Sequence, residues 1–460
     1  MAIVNVDVKA PAAPALPVAP SVYTKAYIDQ LNNVLRLYFN RLDNVLRYIL
    51  SNAPTPISFP DNALDAFGRL VTSQPYTLFD SQNRYAIDNQ FSTSTATGGA
   101  TSLLSNEGAV EMSVTTSSGS EVVRQTYRSM PYQPGKGLTV FATFVMASPK
   151  TNLRQRVGYF NTSNGVFLQQ TNTTVSFVLR SNSLPTPGTP SDTRTVDQAD
   201  WNVDPMNGTG ASGVTLDFTK AQILYMDFEW LGVGDVRCGF VIDGQPIICH
   251  IFYNPNLQTS VYMTTATLPV RYEITNTGAT ASSSSMKQIC SSVISMGGYE
   301  QISIDHTARR TTSFTNIDTA ATFYPIVSIR LASTALGAVV LPNRVQFLPL
   351  ASQNYEVALV KNCTLTGASW AAVDSDSNVE MDVSATAISA LGTIVQTDYV
   401  TSSGSGGTLN TSGPTGFNWD LQLGVSLSSV SDIYTLAVRT VSGATKGEGV
   451  GSISFYDLTQ

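Results

Sequence analysis

Val236-Arg-Cys-Gly-Phe-Val-Ile-Asp243-Gly244-Gln-Pro-Ile-Ile-Cys-His-Ile-Phe-Tyr253 reads as two strands closed by a two-residue turn. Asp-Gly tolerates positive φ at both central positions, which matches the twist of the flanking strands and makes this the surest hairpin in the chain. Its register places Cys238 directly opposite Cys249, beside the apolar residues Val236, Phe240, Ile247 and Ile251. That leaves two readings open: a cross-strand disulfide, or two free thiols acting as small buried hydrophobes, the second being the expectation. His250 falls on the opposite face, where a solvent or interface position is expected.

Working outward, further strands are predicted at Leu138–Met146, Val175–Leu179, Ile223–Trp230, Val270–Thr275 and Ile326–Leu331, separated by Gly, Ser, Asn and Pro turns. Many short strands at this spacing predict antiparallel, jelly-roll-like β-sandwiches. The length suggests two of them, over 56–312 and 315–460. Phe417-Asn-Trp-Asp-Leu-Gln-Leu-Gly-Val-Ser-Leu427 alternates apolar and polar residues at every step and is expected to be the clearest strand of the second. The Ser/Thr/Gly-rich tracts Ser94–Thr101, Ala279–Ser285 and Thr401–Gly407 read as loops.

Upstream of residue 56 the pattern changes. Residues 1–20 form an Ala/Pro-rich segment expected to run extended as an anchor. A single helix follows over 21–53, capped by Ser21 or Thr24 and stopped by Asn52-Ala-Pro54. Ile28, Leu31, Leu35, Tyr38, Leu42, Val45 and Ile49 step by three and four, the spacing of a coiled-coil seam. Leu31-Asn-Asn-Val-Leu-Arg is echoed 11 residues later by Leu42-Asp-Asn-Val-Leu-Arg, which favours a straight or slightly right-handed bundle. Val34, Leu37, Phe39, Leu46 and Tyr48 widen the apolar face, suiting a homotrimer. A helix packed on its own β domain is the rival reading.

Composition narrows the function. Charged residues are 13% of 460 and the net charge is −7, with no Lys/Arg run, so nucleic acid is not an expected partner. No stretch is apolar enough for a membrane span and the N-terminus lacks a signal-peptide pattern, so a soluble protein made without export is expected. Four cysteines without ligand spacing form neither a disulfide framework nor a metal site.

Clusters able to carry chemistry are few. Asp227 and Glu229 alternate on a predicted strand and would project from one face, as a glycosidase pair does, but no third acid follows on that strand. A solvated sheet face is the expectation. Asp374-Ser-Asp376-Ser-Asn378 opens like a calcium loop, yet Val379 and Ala385 stand where its Gly and Glu belong, so a polar turn is expected. His250 and His306 have no partner at a ligand spacing. No catalytic residue, cofactor or metal is expected. For a glycan-binding alternative, Trp201, Trp230, Trp370 or Trp419 would supply the stacking ring.

From Asp227 to Tyr299 the chain resembles a recurrent module of tailed-phage virion proteins, especially those of marine and cyanobacterial phages. Phe228-Glu-Trp230-Leu-Gly232-Val-Gly234, Val241-Ile-Asp243-Gly244, Cys249-His250, Leu268-Pro-Val-Arg271-Tyr-Glu-Ile274 and Gly297-Gly-Tyr299 carry the resemblance. It implies a concanavalin-like β-sandwich and a location in the virion, assembled in the host cytoplasm, with no enzymatic residue. Joined to the helix, it predicts a homotrimeric tail fibre, spike or other appendage. Residues 1–20 would contact other virion proteins and the β domains a host-surface glycan or neighbouring particle proteins. A capsid-decorating protein and a glycan-binding or glycan-degrading tail protein are the alternatives.

Overall fold

The computed structural model describes residues 16, 21–22, 24–51, 74–300, 302–319, 321–401, 407–410, 418–441 and 446–459. All of the expected anchor except Leu16, the helix stop at Asn52–Pro54, Phe417 and most of the Thr401–Gly407 loop lie outside these residues, as does the side chain of Ile49.

The helix spans Lys25–Ser51. Thr24 caps it: its Oγ1 accepts the N–H of Tyr27 at 3.3 Å, satisfying one of the donors left open in the first turn. Of the seam residues, Ile28 is 46% exposed, and Leu31, Leu35, Tyr38, Leu42 and Val45 are half-buried. Leu37 and Phe39 are exposed.

The strands build two sandwiches of antiparallel sheets, so the chain is mainly β with one N-terminal helix. In the first, an eight-stranded sheet runs in the order Gln245–Phe252, Val236–Ile242, Gln222–Phe228, Leu138–Val145, Ser284–Ser295, Ala109–Val114, Ala100–Leu104, with Tyr76–Gln82 also paired to Ser284–Ser295. It faces a seven-stranded sheet centred on Leu153–Phe160 and Val270–Asn276. Val140, Phe144, Leu224, Met226 and Phe240 from one sheet meet Val157, Tyr159, Phe177 and Tyr272 from the other in a single core. Ser94–Thr101 is not a loop: Thr97-Gly98, both at positive φ, joins Phe91–Ala96 in one sheet to Ala100–Leu104 in the other.

The second sandwich pairs a five-stranded with a six-stranded sheet around Val327, Ile329, Leu359, Leu436 and Ile453. The change-over falls between Ser295 and Ile304, earlier than residue 312, because Ile304–Arg309 pairs with the last strand, Gly447–Asp457.

Two further expectations are corrected. Asn418–Leu427 is not a strand but a 3₁₀ turn at Trp419–Leu421 followed by an extended strap between the sandwiches. Leu421 and Leu423 enter the second core, while Trp419 packs on the first, its Nε1 donating to the Tyr76 hydroxyl at 2.9 Å. Extended backbone alternates its side chains whether or not a neighbouring strand pairs with it, so the pattern survives without a ladder. The second correction is the hairpin register. Asp243 and Gly244 take φ of 51° and 75° as expected, but a bulge sets Cys238 opposite His250 rather than Cys249. Both cysteines are free and buried, and His250 is buried too, its ring edge-on to Phe252 at 4.5 Å.

Candidate functional site

Alternation along Leu138–Val145 and Gln222–Phe228 sends Val140, Ala142, Leu224 and Met226 inward, leaving Thr139, Phe141, Tyr225 and Asp227 on the outer face of the eight-stranded sheet. Register then assembles two rows. Tyr225 lies beside Phe141, ring centroids 5.6 Å apart and tilted by 55°, and is flanked on its other side by Gly239. A Cβ at Gly239 would sit 2.0 Å from the Ile247 carbonyl oxygen, so no side chain can be added there to cover the Tyr225 ring. In the second row Asp227 lies between Thr139 and Arg237. The Thr139 hydroxyl donates to its Oδ1 at 3.4 Å, and Arg237 Nη1 stands 3.6 Å from its Oδ2.

Asp227, Glu229, Asp235 and Arg237 line a cleft of about 340 Å³ at the end of these strands, with Gly137 and Leu231. The strand ends at Phe228, so Glu229 leaves the alternation that was expected to align it with Asp227. Leu231 at φ 35° and Gly232 at φ 81° turn the chain back, and Gly234 N–H donates to the Trp230 carbonyl at 2.7 Å. This turn brings in Asp235, the third acid that the strand itself lacks. Burial, reinforced by the Asp227 carboxylate, holds the Tyr225 phenol above its ordinary pKa, so it stays a neutral hydrogen-bonding group at neutral pH.

The remaining predicted residues are placed elsewhere. Trp201 belongs to the core, stacked 4.5 Å from Phe177. Trp230 is half-buried against Tyr132, and Trp370 lies under the Arg330 guanidinium at 4.2 Å, so none of the four tryptophans is an open platform. Phe141 and Tyr225 are half-buried as well, but they lie side by side on the outer face of the sheet. His306 does find a partner, Asp374 Oδ2, 2.7 Å from its Nδ1, and stacks on Phe455. Asp374 and Asn378 are held in a turn by Asp376 N–H and by Asp457, as expected of a polar turn. Among the described residues no group of three or more His, Cys, Asp or Glu is arranged to hold a metal ion, and no helix is long and apolar enough to cross a membrane.

No family model matches the chain, and no curated protein does. Among solved structures, the Emp47p carbohydrate recognition domain aligns at 14% identity over 53% of this chain and 100% of its own, with a TM-score of 0.29. A Bacillus licheniformis β-glucanase aligns at 11% over 50% of this chain and 99% of its own, TM-score 0.28. The binding domain of botulinum neurotoxin DC, in complex with SialylT, aligns at 8% over 49% of this chain and 48% of its own, TM-score 0.29. Likenesses this distant assign neither a ligand nor a catalytic residue, and what can be said of function rests on the site itself.

Proposed function

We propose that this protein is a non-enzymatic, glycan-binding component of a phage particle, trimerised by its N-terminal helix and binding through the outer face of the eight-stranded sheet. One observation carries the binding reading: a half-buried aromatic pair on the outer sheet face, Phe141 and Tyr225, stands in register beside a carboxylate and a guanidinium, Asp227 and Arg237. A pyranose presents a C–H face that stacks on aromatic rings and hydroxyls that both donate and accept, so it uses both rows together. The helix seam supports assembly, and the resemblance over Asp227–Tyr299 supports the particle location.

A glycan array probed with the full chain and with Tyr225→Ala tests it. Binding to a defined glycan subset, lost in the variant, is expected; a blank array, or binding unchanged by Tyr225→Ala, overturns it. Hydrolysis is the second reading, because Asp227, Glu229 and Asp235 share one cleft. Incubation with host envelope glycans that releases new reducing ends, and release lost in Glu229→Gln, would favour it over simple binding.

A further inference from the structure

We infer that the cleft between the two sandwiches is a second ligand site, fitted to a neutral polyhydroxylated ring such as a hexose. It has about 360 Å³ and is walled by Gln90, Tyr127 and Arg128 of the first sandwich and Lys361, Asp420 and Gln422 of the second. That volume lies at the small end of ligand pockets, roughly 300–1,000 Å³. No aliphatic side chain lines it, which disfavours an apolar ligand.

Its charges cancel. Arg128 Nη2 stands 3.9 Å from Asp420, and Lys361 Nζ 2.9 Å from Asp432, so neither an anion nor a cation meets uncompensated charge. What remains is neutral hydrogen-bonding capacity. Gln422 is 1% exposed, and its Nε2 donates to the Ser129 carbonyl at 2.9 Å, but its Oε1 is buried without a partner. Nearby, the hydroxyl of Tyr434 is also buried and without a partner, its ring 5.8 Å from Lys361 Nζ. A buried acceptor of this kind is satisfied by a hydroxyl that donates into it. A sugar ring supplies several hydroxyls at fixed spacing and a face for Tyr127.

The site is separate from the Tyr225 face, and the two are told apart by variants. Titration calorimetry of the full chain with D-glucose, D-galactose and D-mannose, with D-glucuronate as the anionic comparator, reads it. Saturable binding of at least one neutral hexose, with Kd on the order of 1 mM, is expected. Gln422→Met should weaken one hexose-binding component at least about tenfold, the order of one charge-free hydrogen-bonding partner lost, and that component should persist in Tyr225→Ala, which removes binding at the sheet face alone. Because Gln422 also holds Ser129, Asp420→Ala serves as a second variant at an exposed side chain: it frees the Arg128 charge and should shift preference toward D-glucuronate. No saturable binding of any neutral hexose, a wild-type preference for D-glucuronate, or binding abolished by Tyr225→Ala and untouched by Gln422→Met overturns the inference.

Discussion

Arg128 of the first sandwich donates from Nη1 to the main-chain carbonyl of Trp419, on the strap of the second, at 2.6 Å. From Nη2 the same guanidinium donates to Gln90 Oε1 at 2.6 Å. Val425 N–H to the Tyr127 carbonyl, 2.8 Å, and Gln422 Nε2 to the Ser129 carbonyl extend this seam. The two cores are therefore tied by main-chain and charge-assisted bonds rather than by one shared hydrophobic mass.

Arg128→Met should loosen that tie. Each charge-assisted hydrogen bond is worth about 1.5–3 kcal/mol, so losing two, with two acceptors left behind, should cost about 3 kcal/mol. Scanning calorimetry is expected to show a lower first transition and a separation of the two sandwiches into distinct unfolding steps. A single transition at the wild-type midpoint would remove Arg128 from this role.

Gly234→Ala should disable the Asp227 cleft without unfolding the sheet. A Cβ there would lie 1.6 Å from the Glu229 carbonyl oxygen, so the turn that presents Leu231 and Asp235 must open. Glycan binding at this face is expected to fall at least about tenfold, the equivalent of roughly 1.4 kcal/mol, while far-UV circular dichroism stays as in the wild type. Retained binding would show that the cleft takes no part.

Stability should respond to His250 as the pH falls. Burial, aided by the nearby Arg194 charge, lowers its pKa from 6.5 to about 4. The folded state therefore keeps the imidazole neutral while the unfolded chain protonates it from about pH 6.5 downward. The resulting contribution is fully present above pH 6.5 and is lost as pH falls toward 4. Urea midpoints at pH 7.5, 6 and 5 should decline in the wild type and decline less in His250→Asn. Parallel declines would contradict this placement of His250.

The same residue shows what could be read in advance. Asp243-Gly244 announced its hairpin because the turn chemistry is local, but the bulge that sets His250 rather than Cys249 opposite Cys238 goes with packing from outside the hairpin, where the Met206 sulfur meets Cys249 Sγ at 3.0 Å. The Leu421, Leu423 and Val425 alternation was legible as extended chain, yet its partners lie nearly 300 residues away at Arg128 and Ser129, beyond any local pattern. In the candidate site, Asp227 and Glu229 were visible by spacing. Phe141 and Arg237 join them through inter-strand register, and Asp235 through the Gly232-Val-Gly234 turn, whose glycines were the one available signal.

The helix yields the decisive test of assembly. Leu35 and Leu42 are half-buried seam positions seven apart, flanked by Leu31, Tyr38 and Val45. In a parallel bundle each meets its counterparts from the other chains, so a carboxylate at both places like charges together in an apolar interior. Exposed on a lone helix, the same substitutions cost only a few tenths of a kcal/mol of helix propensity each. Leu35→Asp/Leu42→Asp should therefore leave the β sandwiches folded and change only the mass in solution. Static light scattering is expected to give about three times the 49.2 kDa chain mass for the wild type and the single-chain mass for the double variant. A wild-type monomer at micromolar concentration would sink the trimer. A trimer that survives both substitutions would move the interface from the helix to the sandwiches.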